Sequence, residues 1–281
     1  MLTRFKQKSV LITGGASGLG EQLVYQFAQL GWKIAVVDIS LEKATTVAEK
    51  AHKMGAEVNV YYCDVGKDED FVTIAEAIKK QWGGLDIIIN NAGIASSGMM
   101  EEISNEEWYN VLNINLNSVY RGCHYWMPLL PENGPAHIVN TASFAGIMLE
   151  PSMMSYNVSK AGVIALSKTL RAEVGGRDIG VSVVCPAFFK TNLVESMTHA
   201  SDAVKNQINK WMETSGVTAE DVAKDILNAI EKNRLFVVTH KIARRMMWMF
   251  RFFPNYMMKK AIERGHKIFQ RKQQGKQTRK D

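Results

Sequence analysis

Ser9-Val10-Leu11-Ile12-Thr13-Gly14-Gly15-Ala16-Ser17-Gly18-Leu19-Gly20 decides the fold of this 281-residue chain. Val10-Leu11-Ile12 offers no alternate polar position, the pattern of a strand buried on both faces of a parallel sheet. Glycines follow at once, and then Leu23, Phe27 and Leu30 recur at helical spacing until Gly31 closes the run. Working outward, the same alternation repeats. Strands are predicted at 34–38, 58–63, 85–89, 137–140, 181–184 and 235–238. Helices are predicted at 41–54, 71–81, 105–130, 155–175 and 218–232, the last capped by Thr218. Strict alternation of this kind predicts an α/β fold: a doubly wound parallel sheet of seven strands flanked by helices. No repeat, low-complexity linker or second core interrupts it. Residues 1–240 therefore read as one domain and 241–281 as an extension.

Composition agrees with a globular body. Hydrophobic residues make up 46% of the chain, enough for a sizeable core. No apolar run approaches the ~18 residues of a spanning helix, and Met1 to Lys8 lack a signal-peptide core. Cys63, Cys123 and Cys185 are far apart and show neither metal spacing nor a disulfide framework. No metal site is expected, and a reducing cytoplasmic compartment is. The formal charge of +6 is unevenly spread: residues 241–281 hold 13 Lys/Arg against 2 Asp/Glu, leaving 21 against 26 for the rest. The basic balance is a property of the extension.

The turn after the first strand has a physical use. Glycines let the backbone turn tightly and approach a pyrophosphate, while the following helix offers free N–H groups and a partial positive charge. The spacing Gly-x3-Gly-x-Gly departs from Gly-x-Gly-x-x-Gly, and no Gly-Lys-Ser/Thr ending follows, so a nucleotide-hydrolysing loop is not indicated. Asp38 ends the second strand, where a carboxylate accepts from both adenosine ribose hydroxyls and repels a 2′-phosphate. No Lys or Arg lies in the turn or directly after Asp38, which favours NAD(H) over NADP(H). The competing reading of Asp38 is a helix cap. Tyr156 and Lys160 stand four apart on one helical face. A phenol of ordinary pKa about 10 is a poor base at neutral pH, and a neighbouring ammonium and a positive nicotinamide ring both favour its phenolate. Ser143 is placed to hydrogen-bond a substrate oxygen.

Taken in order, these residues are similar to the short-chain dehydrogenase/reductase family. Thr13 to Gly20 resembles its cofactor turn, Asn90-Asn91-Ala92-Gly93 its motif after strand four, and Asn115 its helical asparagine. Ser143, then Tyr156-x3-Lys160, follow at family spacing, and Pro186 to Thr191 resembles its Pro-Gly-x3-Thr segment. The resemblance covers roughly residues 5–240. It implies a Rossmann-like fold and hydride transfer between nicotinamide and an alcohol or carbonyl. Asn115, Ser143, Tyr156 and Lys160 would be catalytic, with Asn115 holding a water that links Lys160 to solvent and Lys160 holding the nicotinamide ribose. Cofactor contacts would come from Gly14, Ser17, Gly18, Leu19, Gly20, Asp38, Asp64, Val65, Asn91, Ala92, Gly93, Pro186, Phe189 and Thr191. Ala187 replaces a glycine, and would be strained if its φ were positive. A homodimer or homotetramer is implied, with the helices beginning near Asn105 and Ser155 at the interface.

The substrate is less legible. A lid over about 192–216 is implied, with Leu193, Val194, Met197, Trp211 and Met212. The loop after Ser143 adds Phe144, Ile147, Met148, Leu149, Met153 and Met154. This apolar, methionine-rich set suits a lipophilic alcohol or carbonyl, or ordinary core and subunit packing. In the extension, Ile242, Met246, Met249, Phe250 and Phe253 form one helical face, broadened by Met247, Trp248 and Phe252, flanked by Arg244, Arg245 and Arg251 and broken by Pro254. A second basic stretch runs over 257–272, and the last residues read as disordered. Two readings stand for 241–272: peripheral contact with an anionic membrane, or packing on the body or a partner subunit over the substrate pocket. Charge alone is no nucleic-acid motif, and no nucleic acid is expected. Two function classes stand as well, an active dehydrogenase and a non-catalytic NAD(H)-binding scaffold.

Overall fold

The computed structural model describes residues 2–132, 134–148, 150–187, 189, 206, 210 and 212–277, with the backbone alone of 241 and 271–277. β1 (Ser9–Thr13) is buried along its whole length, because it lies inside a sheet covered on both faces. Strands β2 (Lys33–Asp38), β3 (Glu57–Tyr62), β4 (Ile87–Asn90), β5 (Ala136–Thr141), β6 (Ile179–Val184) and β7 (Phe236–Val237) complete it. All pair in parallel in the order β3-β2-β1-β4-β5-β6-β7. Leu11 stands between Ala35 on one neighbour and Ile88 on the other. The order reverses between β1 and β4, and the carboxyl ends of the strands part there into a crevice.

Three helices cover one face of the sheet: α1 (Gly18–Gln29), α2 (Leu41–Lys53) and, after strand β6, α8 (Ala219–Glu231). The other face carries α3 (Asp68–Trp82), α4 (Asn105–Leu112), α5 (Ser118–Trp126) and α7 (Met154–Val174). Trp126 lies wholly buried against Phe71, ring centroids 4.6 Å apart. Its indole N–H donates to the Phe71 carbonyl at 3.0 Å, so the polar end is satisfied as the apolar body is buried. Between β4 and β5, Asn90 Nδ2 donates to Asn140 Oδ1 (2.9 Å) and Asn140 Nδ2 to Ser167 Oγ (3.0 Å). This buried relay fixes the carboxyl ends of both strands against α7. Thr218 caps α8 reciprocally with Asp221.

The sequence-based elements survive with physical exceptions. The helix expected over 105–130 is interrupted: Asn113–Asn117 winds as a π turn, the Ser118 amide reaching back to the Asn113 carbonyl. Arg121 holds Asn113 in place, donating to its Oδ1 at 2.9 Å while pairing with Asp68 at 3.0 Å. β7 is shorter than expected because only Phe236 and Val237 have partners on β6. A one-turn helix α6 (Ala145–Met148) was not foreseen. The extension forms two helices, α9 (Lys241–Phe252) and α10 (Pro254–Gln277). Pro254 does not merely end the first; it opens the second, where a missing N–H costs nothing. Residues 278–281 lie outside the described residues. No helix among the described residues is long and apolar enough to cross a membrane.

Candidate active site

The glycine turn sits at the crevice where the strand order reverses. Gly14 and Gly18 take positive φ, +64° and +56°, a conformation that side chains disfavour. Gly20 is needed for a different reason: a Cβ there would stand 1.9 Å from the Gly14 carbonyl oxygen. The turn is latched to the end of β4. The Thr13 hydroxyl accepts from the Asn91 and Ala92 amides (2.9 and 3.0 Å), and Asn91 Nδ2 donates to the Thr13 carbonyl (3.0 Å). Ser17 caps α1 without a side-chain bond to its first turn, so those amides face the crevice available to an anion. Asp38 Oδ2 accepts from the Ala16 amide at 3.0 Å and Oδ1 from the Ser40 amide at 2.9 Å. The carboxylate at the end of β2 is thus held against the turn.

Across the crevice, α7 brings Tyr156 and Lys160 one turn apart, both buried. Lys160 Nζ donates to the Thr141 carbonyl at 2.9 Å and lies 5.8 Å from the centre of the Tyr156 ring. The Ser143 hydroxyl stands beside the Tyr156 phenol on the cavity wall. Burial pushes the Tyr156 phenol up from its ordinary value, and the Ser143 hydroxyl draws it back down. Burial draws the Lys160 ammonium down to about 8. Asn115 sits wholly buried on the π turn, its Nδ2 donating to the Ile94 carbonyl (2.9 Å) and its Oδ1 accepting from the Ile94 amide (2.8 Å). Gly93 packs between them: a Cβ there would be 3.0 Å from Asn115 Oδ1 and 3.3 Å from Lys160 Nζ.

A cavity of about 440 Å³ joins the two halves. Of the residues singled out in the sequence, Gly14, Ser17, Gly18, Leu19, Asn91, Ala92, Gly93, Ser143, Tyr156, Lys160, Pro186 and Phe189 line it. Gly20, Asp38, Val65 and Asn115 are not part of that lining. Asp64 is also outside it, its Oδ1 accepting from the Gly66 amide at 2.9 Å and its Oδ2 3.7 Å from Lys67 Nζ. Thr191, with Leu149, Leu193, Val194, Met197 and Trp211, lies outside the described residues. Ala187 does not have a positive φ, so the feared strain is absent. Its amide donates to His240 Nδ1 at 3.4 Å.

Part of the wall comes from the extension, as the reading of 241–272 as packed on the body over the pocket expects. Ile242, Ala243 and Met246 of α9 line the cavity beside Phe144, Met148, Met153 and Met212. The inward face of α9 is Ala243, Met246, Met247 and Phe250. Ile242, Met249 and Phe253, expected on that same face, are exposed. Ala243, which the sequence reading left out, is the fully buried residue of that face. A second missed contact is Arg264 Nε on α10, 3.2 Å from Glu150 Oε1 in the loop at the cavity. Thr13 was read as the start of the cofactor turn and Thr141 was not singled out. Only the fold shows that their oxygens hold Asn91 and Lys160.

The arrangement suits a nicotinamide dinucleotide: bare glycines and free amides at one end, a proton-transfer cluster at the other, a narrow slot between. Residues 8–202 match the family model described as short chain dehydrogenase. The chain is 33% identical over 194 residues to a 3-oxoacyl-(acyl-carrier-protein) reductase of Thermotoga maritima, covering 69% of this chain and 79% of that one. It is 33% identical over 201 residues to a cyclohexanol dehydrogenase of an Acinetobacter species, covering 71% and 80%. A crystal structure of a short chain dehydrogenase/reductase from Burkholderia phymatum in complex with NAD superposes with a TM-score of 0.83 at 29% identity, covering 89% of this chain and 95% of that one. The chain belongs to the short-chain dehydrogenase family: it is an oxidoreductase of alcohol and carbonyl groups with a nicotinamide cofactor, built on a Rossmann-like sheet.

Proposed function

We propose that this short-chain dehydrogenase uses NAD(H) to interconvert a lipophilic alcohol and its ketone or aldehyde, with Tyr156 as acid and base. The carrying observation is the cluster of Ser143 with buried Tyr156 and Lys160 on the wall of an apolar cavity whose other end is the glycine turn. NAD⁺, when bound, accepts the hydride. Ser143 orients the substrate oxygen and stabilises charge growing on it. Tyr156 takes the hydroxyl proton in oxidation and returns it in reduction. Lys160, held by Thr141, keeps positive charge beside the phenol and holds the nicotinamide ribose. Burial holds the phenol above its ordinary value and the neighbouring Ser143 hydroxyl draws it back; positive charge beside the ring would favour the phenolate further. Asn115 stands beside Lys160 through Gly93, where a water relay to solvent would run.

Support for NAD(H) comes from Asp38, fixed at the turn with no Lys or Arg in residues 13–20 to receive a 2′-phosphate. Gly20, Asp64, Val65 and Thr191 complete the proposed cofactor set with the lining residues. Support for a lipophilic substrate comes from Phe144, three methionines of the 144–212 lining, and Ile242 and Met246. We take residues 1–240 as the catalytic domain and 241–281 as an extension that closes its cavity. Exposed Tyr109, Tyr120, Met154 and Val158 on α4, α5 and α7 support a homo-oligomer through those helices. A non-catalytic scaffold is disfavoured, because binding a cofactor needs no proton-transfer tyrosine such as the buried Tyr156 beside Ser143. The test is NADH and NADPH consumption with ketones of rising chain length, wild type against Asp38→Ala. NADH is preferred and activity rises with apolar length; Asp38→Ala narrows the cofactor preference. A wild-type preference for NADPH, or turnover of small polar carbonyls only, overturns the reading.

A further inference from the structure

Helices α9 and α10 carry an outward surface that hydride transfer does not use. On α9, the side opposite the buried Ala243 leaves Trp248 60% and Phe252 58% exposed. Their rings stack, with centroids 5.3 Å apart. On α10, Met257 and Ala261 are buried while Met258, Ile262 and Phe269 face solvent. Those three fall at i, i+4 and i+11, a single stripe along the helix. Each helix therefore has an apolar side that the body covers and another that it does not. A helix packed on a body ordinarily turns polar residues outward, so the uncovered stripes mark a contact surface.

Charge identifies what covers them. Residues 241–281 carry 13 Lys/Arg and 2 Asp/Glu, and Arg245, Arg251 and Lys259 are exposed among the apolar side chains. A second copy meeting this surface would bring the same positive charge against it. A nucleic acid would meet the cations and rings but leave Met258 and Ile262 in water. An anionic bilayer accepts both kinds of group: apolar side chains enter the boundary of headgroups and chains, and the cations face lipid phosphates. We propose that α9 and α10 dock this protein on an anionic bilayer surface. Ile242 lines the cavity and is itself 67% exposed, so the cavity's mouth lies on the docked helix. On the proposed reading of a lipophilic substrate, that substrate reaches Tyr156 from the lipid.

The test uses the full chain with phosphatidylcholine vesicles, with and without phosphatidylglycerol, and reads sedimentation. The protein pellets with the anionic vesicles and stays in solution with phosphatidylcholine alone. Trp248→Glu with Phe252→Glu, and separately Arg245→Glu with Arg251→Glu, each weaken vesicle binding by about tenfold or more. NADH binding of both variants matches wild type, which shows that they fold. Three results overturn the proposal: no pelleting with anionic vesicles, equal pelleting of the variants, or vesicle-free self-association that the same substitutions abolish. Sedimentation needs no substrate, so failure here is separate from failure of the proposed reaction.

Discussion

Replacing Gly20 by alanine tests the geometry on which the cofactor end of the site depends. The added Cβ would lie 1.9 Å from the Gly14 carbonyl oxygen and 2.9 Å from Asn91 Nδ2. The first of these is backbone and has no rotamer to escape into. Relief requires α1 to move away from the turn by about 1 Å, against the close packing of an interior. Leu23, Val24 and Phe27 of that helix are fully buried, so the shift breaks packing and costs about 1–3 kcal/mol. It also stretches the bonds of 3.0 and 3.4 Å from Asn91 to the Thr13 and Gly14 carbonyls, adding about 1 kcal/mol. Gly20→Ala should therefore lose about 2–4 kcal/mol in urea unfolding and bind NADH at least about tenfold more weakly in a fluorescence titration. Gly175→Ala is the control. That residue has φ −58° and open space around its missing side chain, so alanine should add about 0.4–1 kcal/mol. A Gly20→Ala protein with wild-type stability and NADH affinity would refute the packing argument.

Three further outcomes follow from burial. Lys160 is drawn down to about 8 from an ordinary 10.5; the unfolded chain then binds the extra proton between those values, so stability rises with pH there. Wild type should gain about 1 kcal/mol over Lys160→Met between pH 7 and 9, measured by denaturant unfolding. His137 is pushed down to about 3 from 6.5, chiefly by burial and then by Arg4 and Arg171; here stability falls as pH drops below 6.5. His137→Gln should remove about 2 kcal/mol of the loss between pH 7 and 5 in the same assay. Burial raises the thiols of Cys63, Cys123 and Cys185 to about 12 each, so a thiol reagent at pH 8 should label them only after unfolding.

The sheet was legible because parallel strands are apolar on both faces, and Val10-Leu11-Ile12 and Ile87-Ile88-Ile89 leave no other reading. The glycine turn was legible because its position between strand and helix gives it a use. For Gly20 the fold adds a reason that spacing did not show: its missing side chain makes room for the Gly14 carbonyl. The π turn that carries Asn115 was hidden, since helical periodicity does not mark a one-residue widening of the backbone. Of the inward face of α9, Met246, Met247 and Phe250 were legible, while Ala243 was not, because hydrophobicity ranks Ile242 above it. Both faces of that helix are apolar, and periodicity cannot say which of two apolar faces meets the body.

The central claim is that Tyr156 moves the proton while the opposite end of the cavity holds NAD(H). The direct measurement is steady-state turnover beside NADH affinity for Tyr156→Phe, which removes one oxygen and keeps the buried ring. Turnover should fall by about a thousandfold or more, while NADH binds within about twofold of wild type. Turnover close to wild type in that variant would contradict the account.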